Sequence, residues 1–451
     1  PARARGTDMP QSFVGEGSVG AVVIDLGSIT TRIGFAGDDV PTAIYPSAIG
    51  AYNDAEGRWC CTVEMDSLGW AQPELQVKRI TSAGEIHDLV FQQLCEHGLQ
   101  KLRVQPRDSP LLITEAATAT AANRCRTTEL VFETLGAPAL CVARTPELAA
   151  IAAGRVTSVV LEMGAFNSTS SCVMDGVMQP RTVQTSKLAT GNLSRLLEQQ
   201  LGSKGTTLEA ACCMPGARPP PLGGAAGSFH LLPSSQTRPS ARPAEQRAPL
   251  TPAYAEQLKK LRREELARDL FEAVCSVKEA GGASRPAAAA QQAPAEYTLP
   301  DGRVISVGPE RFRLPEYLFQ GSNNAAAGAQ QLHPLHEMVC HTLQLAEPEL
   351  HKELMRNMVL TGGGSCLAGA AERIEAELKN AARYHSLPTI AGQAHRIQLL
   401  SGNTPSERKH GAWLGGSILG SMRTHHELWM SRAEYEEHGS ALIHRKGMRC
   451  A

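Results

Sequence analysis

The chain has 451 residues, enough for roughly two or three domain-sized hydrophobic cores, and its formal net charge is −1. A balanced charge gives no overall field that would draw the chain to nucleic acid or to an anionic membrane, so any contact with DNA must be local or made through a partner. The twelve cysteines lack zinc-site spacings, which favours a reduced intracellular compartment, and no long apolar run predicts a membrane helix.

The amino-terminal third of the chain predicts a small α/β domain behind a polar leader, residues 1–18, that we expect to be disordered. A buried strand ends at Asp25, turns at Gly27 and Ser28, and is followed by a returning strand. We expect this domain to cover residues 19–153 and to be completed by residues 410–451. Its further predicted elements are helix 85–102, strand 110–114, helix 121–135, strand 139–143 and helix 146–153.

A second, larger domain is predicted over residues 154–409, because the same layout starts again there. A buried strand ends in Glu162, turns at Gly164 and is followed by a returning strand over 168–174. Repetition of this strand–acid–glycine–strand unit indicates two related halves, each with a hairpin that faces a shared cleft.

Two low-complexity stretches interrupt the large domain, at about 203–252 and 281–294. The first is rich in Pro, Gly, Ser and Arg and cannot bury enough apolar surface to fold alone, so we expect it to be disordered. Between them, residues 254–277 predict a charged amphipathic helix. Its basic run is followed directly by Glu264 and Glu265, which favours a solvated helix face over a nucleic-acid patch.

Three glycine-marked turns, at 25–28, 162–164 and 361–365, each follow a buried strand. Glycine lets backbone N–H groups approach phosphate oxygens, and a carboxylate beside it can hold a hydrated Mg²⁺. A single turn of this kind is more often an ordinary strand end. No GKS or GKT sequence is present and the glycine spacing differs from a dinucleotide fingerprint, so neither of those phosphate sites is predicted.

The order of these segments resembles the actin superfamily over nearly the whole chain, except the leader, residues 51–80 and the two low-complexity stretches. The matching segments include Asp25-x-Gly-Ser, Arg32-x-Gly-Phe-Ala-Gly-Asp-Asp, Thr114-Glu-Ala, Arg268-Asp-x-x-Glu-x-x-Cys, Glu407-Arg-Lys and Trp413-x-Gly-Gly-Ser-Ile-Leu.

Within that superfamily, residues 46–50 (PSAIG) and 297–319 resemble the nuclear actin-related proteins of chromatin-remodelling and histone-acetyltransferase complexes, the actin-like subunits of the BAF type. Residues 51–80 lack the pattern of the loop that joins subunits in actin filaments, so filament formation is not expected.

The resemblance implies an actin/Hsp70/hexokinase-like fold, with two related α/β domains flanking a nucleotide cleft. It implies ATP as a structural ligand, weakly bound or even absent, with any Mg²⁺ held through the nucleotide near Asp25 and Glu162 rather than directly by the protein. The nucleotide-binding residues that it implies are Asp25, Gly27, Ser28, Arg32, Glu162, Gly164, Arg268, Glu272, Gly362, Gly363, Gly364 and Lys409.

Departures from the actin pattern predict that hydrolysis of ATP is negligible. Thr145 stands at the position of actin's water-orienting glutamine, Thr169 at that of its catalytic-site histidine, and Ala165 at that of its second acid. Loss of such groups costs orders of magnitude in rate. We therefore assign no catalytic residue.

The resemblance also implies partners and a nuclear location. Ile151, Val177, Leu419 and Met422 correspond to an actin groove that accepts an amphipathic helix, although core packing explains such residues equally well. The expected partners are the helicase-SANT-associated helix of a remodeller or acetyltransferase scaffold, nuclear actin beside it, and the nucleosome through the complex. The alternative is an ATP-hydrolysing, filament-forming cytoskeletal actin relative.

Overall fold

The computed structural model describes residues 20–53, 59–63, 76–82, 85–208, 252–278, 294–300, 302–320, 333–384, 392–422 and 426–446. The predicted leader and nearly all of the two low-complexity stretches lie outside the described residues, so those expectations stay predictions. No helix in the described part of the chain combines the length and apolar character needed to cross a bilayer.

In the described residues of the first part of the chain, short strands alternate with three α-helices. The helix predicted from residue 85 begins at Asp88, because residues 85–86 pair with the strand before them. The helix predicted over 121–135 is confirmed, its last six residues being π-helical, and it ends at Gly136. In order, the elements are β1 (Val22–Leu26), β2 (Thr30–Phe35), β3 (Ala43–Pro46), β4 (Ala48–Asn53), β5 (Trp59–Thr62), β6 (Gln76–Arg79), β7 (Thr81–Ser82), β8 (Glu85–Ile86), α1 (Asp88–Leu102), β9 (Leu111–Glu115), α2 (Ala121–Glu129), β10 (Ala139–Arg144) and α3 (Thr145–Ala152).

The second part contains the long charged helix that the sequence predicts between the two low-complexity stretches. The predicted hairpin-like return after Glu162 is also present. In order, the elements are β11 (Ser158–Met163), β12 (Ser168–Met174), β13 (Val177–Met178), β14 (Gln184–Ser186), α4 (Thr190–Ser203), α5 (Pro252–Val274), β15 (Ala295–Thr298), β16 (Val304–Val307), α6 (Glu310–Gln320), α7 (Leu335–Gln344), α8 (His351–Arg356), β17 (Met358–Thr361), α9 (Ala370–Tyr384), β18 (Leu399–Ser401), α10 (Pro405–Lys409), α11 (Gly411–Ser421), β19 (Met430–Ser431) and α12 (Arg432–His438).

Strand β1 lies in the middle of the first large sheet, whose order is β19-β10-β9-β1-β2-β3. It pairs antiparallel with β2 and parallel with β9. Val22, Val23 and Ile24 are fully buried, as expected for a strand that is covered on both faces. The register of the hairpin places Asp25 directly opposite Arg32.

Strand β11 has the same position in the second large sheet, whose order is β13-β12-β11-β17-β18. It pairs antiparallel with β12 and parallel with β17, so that Glu162 lies opposite Thr169 on one side and Thr361 on the other. Both sheets therefore contain a central strand that ends in an acid between a hairpin partner and a parallel strand. The predicted architecture of two related α/β halves is confirmed, while the exact domain limits stay predictions.

Helix α3 packs against both sheets. Its Leu148 lies in one hydrophobic cluster with Val23 and Trp413, on the side of the first sheet. Its Ala150 lies in another cluster with Val160, on the side of the second sheet. Because one helix is part of two cores, the relative position of the two sheets depends on it.

Glu147 adds a polar connection at the same place. Its Oε1 accepts a hydrogen bond of 3.0 Å from the backbone N–H of Met178, in the second half. Its Oε2 accepts one of 3.0 Å from the N–H of Arg144, directly before α3. Burial raises the pKa of Glu147 to about 7, although both backbone hydrogen bonds act against this shift.

Helix α11 lies close to α3 because its contact face is made of glycine. A Cβ atom on Gly415 would lie 1.8 Å from the carbonyl oxygen of Leu148, and one on Gly416 would lie 2.8 Å from a methyl group of Val23. A side chain at Gly415 would displace the backbone of α3, and one at Gly416 would displace the buried side chain of Val23. The Gly-Gly pair in this helix is therefore required by packing.

We predict that Gly415→Ala lowers the free energy of unfolding by about 2–3 kcal/mol, because the added methyl overlaps the backbone of α3. Gly202→Ala, in α4, is the matched control: a Cβ there meets no atom within 4 Å, so the variant should gain up to about 1 kcal/mol. Chemical denaturation of both variants measures the difference. Equal stability of Gly415→Ala and the wild type would contradict this packing.

Candidate functional site

The candidate site is a cavity of about 190 Å³ at the carboxyl ends of β1, β11 and β17. In open α/β sheets, ligands bind at this end of the strands. The structure brings together all twelve residues predicted for nucleotide binding; their role as ligands stays a prediction. The twelve that line the cavity are Asp25, Gly27, Ser28, Arg32, Glu162, Gly164, Arg268, Glu272, Gly362, Gly363, Gly364 and Lys409.

A second cavity, of about 590 Å³, adjoins the first and shares part of its wall, including Glu272, Gly363 and Lys409.

Thr190 also lines both cavities, and sequence reasoning missed it. It is the first residue of α4, and the N–H groups that follow it are already engaged, that of Gly191 by the carbonyl oxygen of Ala165 and those of residues 192 and 193 by that of Ala189. The signal available in the sequence was the start of an apolar-periodic segment near residue 190.

Close backbone contact explains two of the cavity's glycines. Gly362 has a φ of 91°, and a Cβ on it would lie 2.5 Å from the carbonyl oxygen of Met163. A Cβ on Gly27 would lie 2.7 Å from the carbonyl oxygen of Thr30. Both turns therefore exclude side chains, and they leave backbone groups at the wall of the cavity.

Asp25 is buried at the floor of the cleft and is engaged on both oxygens. Its Oδ2 lies 2.5 Å from Nη1 of Arg32, which faces it across the β1–β2 hairpin. Its Oδ1 accepts a hydrogen bond of 2.7 Å from the hydroxyl of Thr114 on β9. The carboxylate is thus neutralised and held in place by neighbouring strands of its own sheet.

Glu162 occupies the corresponding position on the other wall. Its Oε2 accepts a hydrogen bond of 2.8 Å from the hydroxyl of Thr145, the first residue of α3. Burial raises the pKa of Glu162, and the negative charge of Asp25 also raises it. Hydrogen bonds from Thr145 and Thr169 lower the pKa but do not cancel the rise. The protonated form of this acid is therefore favoured more than in an exposed glutamate.

His410 lies between α10 and α11, behind the cationic side of the cleft. Burial and, to a lesser extent, the positive charges of Arg32 and Lys409 together lower its pKa to about 4, while the charge of Asp25 acts against this shift. The imidazole is therefore neutral at physiological pH. It adds no charge to the cleft, which leaves the charges there to the arginine, lysine and carboxylate groups.

The mouth of the cleft is bridged by a cluster that we call the mouth clamp, formed by Arg79, Phe166, Arg195 and Glu264. Glu264 on α5 accepts from Arg79 on β6 at 2.7 Å and from Arg195 on α4 at 3.2 Å. The ring of Phe166 lies under both guanidinium groups, at 5.8 Å from Arg79 and 4.9 Å from Arg195. The clamp connects β6, in the first half, with helices of the second half.

The clamp corrects one sequence-based interpretation. The charged run around Glu264 predicted a solvated helix face, yet the Glu264 side chain is only 14% exposed. Its partners come from segments about 70 and 185 residues away. Nothing in the local pattern of α5 distinguishes such a carboxylate from one that faces water.

The predicted partner groove is only partly open. Met422 is 41% exposed, while Ile151 and Val177 are half-buried. Leu419 is 3% exposed and packs in the core with Trp413, so this member of the prediction is a core residue. It lies on the inner face of α11, which a uniformly apolar helix sequence does not reveal.

We predict that Glu264→Gln raises hydrogen-exchange rates of the β6 amides roughly tenfold, because the clamp loses the charge that holds two arginines together. Glu375→Gln is the matched control, since it removes one exposed pair with Lys379 within α9. Exchange measured by mass spectrometry should leave β6 unchanged in the control. Unchanged β6 exchange in Glu264→Gln would show that the clamp does not hold the mouth.

Comparison with known proteins gives a consistent result along the chain. The family described as Actin matches residues 16–448. Actin-related protein 4 of Oryza sativa subsp. indica is 29% identical over 470 residues, which cover 96% of this chain and 99% of that protein. The proteins of the same name from Arabidopsis thaliana and Schizosaccharomyces pombe are each 27% identical, over 96% and 97% of this chain and 99% and 100% of their own lengths.

These matches confirm the resemblance drawn from the phosphate-loop and carboxy-terminal segments, although they do not test the BAF type in particular. They extend from end to end of the relatives and include both halves of the cleft. The fold agrees with them, since two related α/β halves meet at the predicted phosphate loops. The chain belongs to the actin family.

Proposed function

We propose that the protein is a non-catalytic structural subunit of a nuclear chromatin-remodelling or histone-acetyltransferase complex. The similarity to proteins named Actin-related protein 4 supports an actin-related role rather than that of actin itself. The observation that carries the proposal is the phosphate side of the cleft, where the residues suited to holding a nucleotide are present and those suited to cleaving it are absent.

Hydrolysis of a nucleoside triphosphate needs a group that orients the attacking water and charges that stabilise the transition state. The side chain of Thr145 is shorter than that of glutamine, and its hydroxyl already donates a hydrogen bond to Glu162. Ala165 presents a methyl group where the family has a second acid. These residues support binding without turnover, so ATP in this cleft is a structural ligand.

Such a ligand would act by holding the two halves together. Gly362 and Gly363 come from the second half, whereas Gly27 and Ser28 come from the first, and all four line the same cavity. A molecule bound between them makes contacts that opening of the cleft would break. Binding therefore stabilises the closed form by mass action, without any chemical step.

The partner surface that we propose is the groove at Met422, Ile151 and Val177. An amphipathic helix places apolar side chains at helical spacing into such a groove. Met is an adaptable contact residue because its side chain is flexible and polarizable. The proposed occupant is the helicase-SANT-associated helix of a remodeller or acetyltransferase scaffold, with nuclear actin beside it and the nucleosome contacted through the complex.

We predict that tagged protein isolated from nuclei carries actin and a scaffold with a long amphipathic helix, detected by cross-linking and mass spectrometry. Met422→Glu should weaken capture of that scaffold by about tenfold, because a charge enters the apolar contact. Leu345→Glu is the matched control, an apolar residue outside the groove that is somewhat more exposed, at 53%, and it should leave capture unchanged.

Recovery of self-assembled filaments alone, in the cytoplasm, would instead support the cytoskeletal alternative. Equal loss of the scaffold in the Met422 and Leu345 variants would place the contact elsewhere on the surface. Either result contradicts a groove-bound nuclear subunit, and the two are separated by whether filaments are seen.

A further inference from the structure

The charges at the floor of the cleft are already balanced by the protein itself. Asp25 belongs to the first glycine-marked turn, residues 25–28, which we call the first phosphate loop. Its two carboxylate oxygens are engaged by Arg32 and Thr114. The side chains of Asp25 and Arg32 are only 7% and 12% exposed. Arginine remains protonated at any pH at which the protein is folded. A permanent positive charge therefore lies where a metal ion would approach this carboxylate.

The hairpin register fixes this arrangement. Arg32 is paired directly with Asp25 across β1 and β2, so the guanidinium is positioned by the backbone and not only by a flexible side chain. Its Nη1 lies 3.4 Å from the place that a Cβ on Gly27 would take. The guanidinium is thus beside the first phosphate loop, in the same cavity as Lys409.

Arg32 also has hydrogen-bonding capacity left. Its Nη1 donates to Asp25, while its Nε is buried and has no hydrogen-bond partner among the described residues. A guanidinium carries five N–H donors, and its planar fork matches the oxygens of a phosphate. An anion in the cavity would satisfy a donor that is otherwise buried without a partner, which costs free energy.

The opposite wall of the cleft has few oxygen ligands available for a divalent cation. Mg²⁺ requires near-octahedral oxygen ligands and usually one or two carboxylates beside the phosphates. Glu162 is already hydrogen-bonded to Thr145, and Ala165 has no carboxylate to replace it. An Mg²⁺ ion near Asp25 would also lie close to the Arg32 guanidinium and be repelled by it. The Mg²⁺ site implied by the family therefore does not fit these residues.

We propose that this cleft binds a nucleoside triphosphate without a divalent cation, and that Arg32 supplies the positive charge next to the phosphates. The inference rests on the nucleotide binding proposed above and specifies its ligand as the metal-free anion.

The test is calorimetric titration of ATP into the full chain, once with excess Mg²⁺ and once with EDTA. We expect dissociation constants that agree within about threefold. Magnesium measured in the ATP-loaded protein after gel filtration should be far below one ion per chain. A loss of affinity in EDTA of about thirtyfold or more would overturn the inference and leave nucleotide binding intact.

Substitution of Arg32 separates its charge from its packing. Arg32→Gln should weaken metal-free binding at least about tenfold, and Mg²⁺ should restore part of the loss because Asp25 becomes available. Arg32→Lys keeps the charge but loses the planar fork, so its metal-free binding should be intermediate between that of Arg32→Gln and that of the wild type. Circular dichroism checks that both variants fold. If Arg32→Gln does not fold, the inference is tested with the wild type and Arg32→Lys alone.

Two further outcomes would count against the inference. Metal-free binding by folded Arg32→Gln as tight as that of the wild type would show that the guanidinium does not supply the charge. Absence of ATP binding in both buffers would contradict the inference together with the nucleotide part of the proposed function. That result differs from binding that is present only with Mg²⁺, which overturns the inference alone.

Discussion

The pairing of Asp25 with Arg32 at the end of the β1–β2 hairpin determines the character of the cleft. The strand register places the two side chains opposite each other, and both are almost fully buried. Removal of either one would leave the charge of the other buried and unpaired, which is costly. Thr114, from the neighbouring parallel strand, holds the second carboxylate oxygen. The charges at the floor of the cleft are therefore balanced before any ligand arrives, while Nε of Arg32 has no hydrogen-bond partner among the described residues.

Contacts at the base and at the mouth of the cleft hold the two halves together around the Asp25–Arg32 pair. At the base, α3 contributes to the cores of both sheets, and Glu147 accepts backbone hydrogen bonds from each side. At the mouth, Glu264 joins Arg79 to Arg195 over the ring of Phe166. Contacts at both ends limit how far the cleft can open. A body of this kind is suited to being a rigid part of an assembly, presenting one surface to its partners.

The three glycine-marked turns of the site could be predicted because their signals are local, whereas Arg268, Glu272 and Lys409 followed only from the resemblance to actin. An acid at the end of a buried strand, followed by glycine, occurs at Asp25 and again at Glu162, and the chain places both turns at one cavity. Backbone requirements of this type can be recognised within a few residues. Gly362 illustrates this, since a positive φ and a 2.5 Å approach to Met163 exclude any side chain.

What the sequence could not predict depends on contacts between distant segments. Glu264 belongs to a charged run that is typical of a solvated helix, and its burial results from Arg79, far away in the chain. The sequence left Leu419 between a groove residue and a core residue, and the inner face of α11 packs it beside Trp413. Thr190 lines both cavities only because α4 starts there. In each case three-dimensional neighbours, not residue type, decide the role.

The measurement that tests this account most directly follows the bound nucleotide itself. The purified chain is loaded with ATP, freed of excess ligand and incubated, and the nucleotide that remains bound is identified by chromatography at successive times, with actin as the reference. The account predicts that the protein keeps intact ATP while actin accumulates ADP. Conversion of the bound ATP to ADP at a rate like that of actin would contradict it.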